Sequence, residues 1–106
     1  MVNRGEVWLA RLDPTEGNEI RKTRPCMIIS PPEIHNHLNI VLVAPMTTGS
    51  RPAGYRIPLH FSGKEGFILL DQIRTMDQKR LVRRLGRVEP PILLAALRTL
   101  QKMFAP

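Results

Sequence analysis

Arg24 stands immediately before Pro25, and the residue before a proline is held in extended backbone. A guanidinium on so rigid a base can grip a phosphate through paired donors. Its neighbours Arg21 and Lys22 read, from this stretch alone, as a solvated basic loop, and Arg24 by itself stays open between the two roles. Pro45-Met46-Thr47-Thr48-Gly49-Ser50 follows an apolar run directly, which sets hydroxyls at a strand end where a loop opens to solvent. Those hydroxyls can donate hydrogen bonds to an anion, and they can equally be plain turn formers. Asp71 and Gln72 interrupt another apolar stretch and must find partners if a sheet buries them, so Asp71 reads as a structural acceptor rather than a base.

Charge adds a partner class. The chain of 106 residues carries 16 Lys and Arg against 9 Asp and Glu, a formal charge of +7 that favours a polyanion and nucleic acid first among polyanions. Lys79, Arg80, Arg83, Arg84 and Arg87 are the footprint such a partner would leave, although a solvated strand face looks the same. His35-Asn36-His37 has a spacing seen among zinc ligands, but a metal site needs three or four convergent ligands. The remaining candidates, His60 and Cys26, fall in a separate strand and a buried run, so no metal is expected and the His pair is assigned to a mobile loop over the nucleic-acid groove. The single Cys excludes an internal disulfide and fits a reducing cytosol. No signal-peptide core and no apolar run long enough to span a bilayer is present, so the expectation is a cytoplasmic protein with no membrane partner.

These groups need a scaffold. Val7 to Leu12 reads as a strand closed by the turn formers Asp13 to Asn18, and Cys26 to Ile29 and Ile40 to Ala44 read as central strands. Between them Ser30-Pro31-Pro32-Glu33 has the spacing of a capping box and predicts one or two helical turns. Tyr55 to Phe61 alternates with period two, and Pro58 puts that strand at an edge or a bulge. Ser62 to Gly66 turns the chain, Phe67 to Thr75 forms the next strand, Asp77 caps a short turn through Leu81, and Val82 to Val88 is a basic final strand. Ile92 to Phe104 places Leu93, Leu97, Leu100 and Phe104 on one helical face. Trp8 and Phe61 could stack on bases, but core packing is the default for both. The expected fold is mainly β, a small barrel of antiparallel strands with short helices and a C-terminal helix, one domain over residues 1–106 and small enough to favour a homodimer.

Several strings converge on one family. Arg4-Gly5-Glu6-Val7-Trp8, Leu12-Asp13-Pro14-Thr15-Glu16-Gly17-Asn18-Glu19, Thr23-Arg24-Pro25, Pro45-Met46-Thr47-Thr48 and Asp71-Gln72-Ile73-Arg74-Thr75, in this order and covering nearly the full chain, resemble the MazF/PemK family of toxin endoribonucleases. The resemblance implies an SH3-like barrel homodimer that cuts single-stranded RNA at short sequences without metal, cofactor or ribosome. It also implies neutralisation by an acidic MazE-like antitoxin, through which alone operator DNA would be bound. The catalytic positions it implies are Arg24, Thr47 and, as general base, Glu19; Arg21, Lys22, Thr48, Arg80, Arg83 and Arg84 are assigned to RNA binding, and Asp71 and Gln72 to structural polar roles. PemK-type members carry a His where this chain has Asn18 and an Arg where it has Leu69, so the acid–base scheme of that branch does not transfer.

Two other classes compete. A non-catalytic basic barrel would bind nucleic acid by charge alone, with steep salt dependence and no product. A gyrase poison similar to CcdB would end its helix in Trp-Gly-Ile, whereas this chain ends Lys102-Met103-Phe104-Ala105-Pro106.

Overall fold

The computed structural model describes residues 2–13, 16–19 and 22–106. The strands are β1 (Glu6–Arg11), β2 (Thr23–Ile28), β3 (Ile40–Thr47), β4 (Arg56–Phe61), β5 (Lys64–Leu69), β6 (Arg74–Asp77) and β7 (Leu81–Arg87), with helices α1 (Pro32–His35) and α2 (Pro90–Phe104). They form one sheet in the order β4-β5-β3-β2-β1-β7, with β6 also paired to β3. The sheet curls into a half-barrel closed by the C-terminal helix, the mainly β architecture expected from the sequence. β2 and β3 are interior strands, and Pro58 lies in β4 at one edge of the order, where its missing N–H costs no ladder bond.

Apolar residues of opposite parity feed two cores. Val7, Met27, Ala44, Met46, Ile57, Ile68 and Leu70 meet Ala96 and Leu100 of α2 on the inner face, while Ala10, Leu12, Cys26, Ile28, Val41, Val43 and Met76 cluster on the other. Side chains alternate across a pleated strand, so Cys26 and Met27 must enter different clusters, as they do. Leu93 and Leu97 pack on the inner core as their helical spacing predicts, but Phe104, at the end of the last turn, is 69% exposed.

Four local expectations are corrected. Ser30 does not cap α1: Pro31 holds that position without a side-chain bond, because Ser30 Oγ already accepts from Leu42 N at 3.1 Å and bonds His35 Nδ1 at 3.2 Å. His35, the last residue of α1, is therefore buried rather than placed in a loop over a groove. The turn after β4 is shorter than Ser62 to Gly66. Ser62 and Gly63 both have positive φ, 54° and 78°, the pattern of a two-residue hairpin turn, and Lys64 already pairs with Phe61. Finally, Phe67 to Thr75 is not one strand. Ile68 pairs with Met46 and Arg74 with Val43, so a longer stretch runs opposite a shorter one, and the excess folds into a 3-10 turn at Leu70–Gln72.

Candidate active site

β2 and β3 bring the two principal site residues together. Cys26 is paired with Pro45, and continuing this antiparallel register by two residues sets Arg24 opposite Thr47. Cross-strand partners share a face, so the half-buried guanidinium base and the hydroxyl stand on the same side of the sheet, at its open end. Both line a cleft of about 540 Å³, together with Thr48, Lys64, Arg83 and Arg84. Phe61, Leu59 and Leu85 form apolar wall. Four cationic side chains and the hydroxyls of Thr47, Thr48 and Ser62 around one concavity describe an anion site for a large, partly apolar ligand.

Thr47 is oriented by its own loop. Its Oγ1 accepts from Gly49 N at 3.3 Å, which occupies a lone pair and leaves the hydroxyl hydrogen to be donated elsewhere. Its backbone is fixed from the other side by Gly66 of β5, where an added Cβ would lie 2.3 Å from the Thr47 carbonyl oxygen. Arg84 is held by Glu6, a carboxylate only 5% exposed: Arg84 Nε donates to Glu6 Oε2 at 3.0 Å, while Glu6 Oε1 accepts from Asn3 N at 2.8 Å and Trp8 Nε1 at 3.1 Å. Burial by itself would raise the pKa of Glu6, but the hydrogen bonds from Trp8 and Asn3 and the Arg84 charge outweigh it and hold the carboxyl below its ordinary range.

The other assigned residues lie elsewhere. Arg80 donates Nη1 to the backbone carbonyls of Arg11 and Asp13, and Lys22 N donates to Asp13 Oδ1 at 3.2 Å, so both belong to the base of the β1–β2 loop. Glu19 sits in that loop, exposed, with Oε1 accepting from Glu16 N at 3.0 Å; it is not among the cleft-lining residues. Arg21 falls outside the described residues. Asp71 accepts from Arg56 Nε at 3.3 Å and Nη2 at 3.1 Å, a two-pronged bond between the start of β4 and the 3-10 turn, and Gln72 lies in the same turn. Trp8 and Phe61 both pack against core clusters, and Phe61 shows its remaining surface to the cleft.

Lys64, Glu6 and Gly66 were not picked out as site residues from the sequence. The sequence pattern puts Lys64 and Gly66 in a turn, and only the strand register carries them to the cleft; the Arg-Gly-Glu string is the one sign of Glu6 along the chain. Burial pushes the Cys26 thiol up to about 12 against the opposing charge of Arg74, so it is a packed apolar side chain rather than a nucleophile. Among the described residues no three His, Cys, Asp or Glu side chains converge as a metal ligand set.

The model of PemK-like, MazF-like toxins of type II toxin–antitoxin systems matches residues 3–104. The chain belongs to this family. The toxin is 39% identical over 98 residues to "Endoribonuclease PemK" of Escherichia coli, covering 87% of this chain and 74% of that one. The crystal structure of MazF from Deinococcus radiodurans has the same fold, with a TM-score of 0.85 at 20% identity over 96% of this chain and 94% of its own. An endoribonuclease in complex with its cognate antitoxin, from mycobacterial species, superposes with a TM-score of 0.83 at 22% identity, covering 100% and 98% of the two chains.

Proposed function

We propose that this toxin cuts single-stranded RNA internally, in the cleft where Arg24 meets Thr47. Membership of the family makes it a toxin endoribonuclease, and the observation that carries the chemistry is that Arg24 and Thr47 line one cleft with Lys64, Arg83 and Arg84. The RNA 2′-hydroxyl attacks the adjacent phosphorus, the 5′-oxygen leaves, and the products are a 2′,3′-cyclic phosphate and a 5′-hydroxyl. Arg24 stabilises the charge growing on the phosphoryl oxygens, and the Thr47 hydroxyl donates to the same phosphate. The proton of the 2′-hydroxyl passes to a base reaching in from the β1–β2 loop, for which Glu19 is the candidate once it exchanges its bond to Glu16 N, and the departing 5′-oxygen takes up a proton from solvent water. No metal or cofactor enters this scheme. Thr48 and Arg83 extend the phosphate grip; Arg80 acts by holding the loop, and Lys22, whose backbone N–H bonds Asp13, offers its exposed ammonium group to RNA.

The mycobacterial neighbour is captured with its antitoxin. For this toxin an acidic, disordered antitoxin segment lying across the basic cleft follows from the charge of +7, and operator DNA would be reached only through it. The working unit is a homodimer, and the single Cys fits a reducing cytoplasm.

The test is a long single-stranded RNA incubated with the protein in EDTA, beside Arg24→Ala, with new 5′ ends mapped. Recurrent cuts at one short sequence, lost in the variant and blocked by 2′-O-methyl groups at the cut site, are expected. Intact RNA that is nevertheless bound would replace the enzyme with a non-catalytic RNA-binding barrel.

A further inference from the structure

The cleft does not end at Thr47. A second groove of about 560 Å³ lies against it, lined by Pro58, His60 and Glu65 together with Thr48, Leu59, Gly66 and Phe67, the last four shared with the cleft. Strand register explains the continuity. Thr47 is paired with Phe67 and Phe67 with Pro58, so these three side chains form one row across β3, β5 and β4 on the same face as Arg24. Glu65, two residues along β5, and its partner His60 form the next row on that face. The alternate residues Met46, Ile68 and Ile57 point into the core, and Pro58, His60 and Glu65 are exposed, as the pleat requires.

From β2 across to β5 and then along β5 the surface therefore changes in a fixed order: cation at Arg24, hydroxyl at Thr47, aromatic ring at Phe67, carboxylate at Glu65. The first two suit a phosphate and the last two do not. An ionised carboxylate accepts hydrogen bonds and offers none, so beside RNA it repels phosphate and attracts the donor edge of a base. Among the described residues the Glu65 carboxylate has no ion-pair partner to neutralise it. A half-buried phenyl ring beside it supplies the stacking surface that unpaired bases use.

We propose that this groove is a base-recognition subsite for a nucleotide flanking the scissile phosphate, and that it selects guanine; the inference rests on the cleft being the RNA-cutting site. Guanine presents N1–H and N2–H₂ side by side on its Watson–Crick edge, a pair of donors matched to the two carboxylate oxygens of Glu65 while the base stacks on Phe67. Cytosine and adenine place one amino group beside an acceptor nitrogen, and uracil places its single N–H between two carbonyls that a carboxylate repels. The expected order is guanine first and uracil last.

The experiment maps cut sites in a long RNA of mixed sequence for the natural protein, Glu65→Gln and Phe67→Leu, and then measures cutting of one short substrate carrying guanine, inosine or uracil at the position found. The expected result is guanine at one fixed flanking position. Glu65→Gln relaxes that position by about tenfold relative to the other bases while the melting temperature persists and the remaining cuts still require Arg24. Inosine, which lacks the N2 amino group, falls between guanine and uracil, and Phe67→Leu weakens binding of all bases there. RNA cut with no guanine preference, or with a pattern that Glu65→Gln leaves unchanged, overturns the subsite and leaves the endonuclease reading intact. RNA that the natural protein does not cut overturns both.

Discussion

Two sets of arginines have the same charge and opposite uses. Arg24, Arg83 and Arg84 line the cleft, whereas Arg56, Arg74 and Arg80 serve acceptors of the fold itself: Arg56 the Asp71 carboxylate, Arg74 the Leu12 carbonyl at 3.0 Å, Arg80 the carbonyls of Arg11 and Asp13. Backbone carbonyls at the base of the β1–β2 loop have no ladder partner of their own, and a guanidinium with several donors can close two at once. The net charge of +7 therefore overstates the RNA footprint. Arg84 belongs to both sets, since Glu6 fixes its Nε while its residue borders the cleft.

The contrast is sharpest at Arg24. Arg24→Ala should lower the cleavage rate by about 100-fold or more, the cost of removing a donor aimed at developing charge. A fold collapse in this variant would move Arg24 to the structural set. Next in size is Gly66→Ala: the new Cβ must displace the Thr47 carbonyl, which should cost about 1–3 kcal/mol of stability and slow cleavage by shifting Thr47. Gly63→Ala, with no atom within 4 Å but a φ of 78°, should be strained without touching catalysis.

Arg80→Ala against Arg83→Ala divides the sets by opposite readouts. The first removes charged hydrogen bonds to backbone and should cost about 1 kcal/mol, a Tm loss of about 5 °C, with the salt dependence of RNA binding nearly unchanged. The second should leave Tm within about 1 °C and reduce the slope of log affinity against log salt by about one. If both variants change only the salt slope, the division fails. The smallest effect concerns Glu6. Its folded pKa lies below the ordinary 4.5, so its stabilising contribution is complete above that value and is lost as pH falls through the lower folded pKa. Acid titration of Tm should show this loss in the natural protein and a weaker one in Glu6→Gln, whose amide also sets a donor against Arg84 Nε and should raise the KM for RNA more than it lowers kcat.

Sequence by itself determined most of the elements, because alternation, β-branched runs and turn formers are local. It found the interior strands β2 and β3, the edge strand containing Pro58 and the helix after Pro90-Pro91. It also named Arg24 and Thr47, since a pre-proline arginine and a strand-end hydroxyl are visible along the chain and their strings resemble a known family. Ser30 shows where such reading ends: its capping spacing is real, but a backbone N–H from β3 and a histidine ring compete for the same hydroxyl. Only tertiary structure decided which cations face the ligand and which close the loop. Only it carried Lys64 and Phe67 to the cleft, through a hairpin register set by two residues of positive φ. The reason is that a side chain's role depends on what stands opposite it, and for Arg24 and Arg80 that partner lies far along the chain, where pairing and sheet curvature rather than local propensity choose the neighbour.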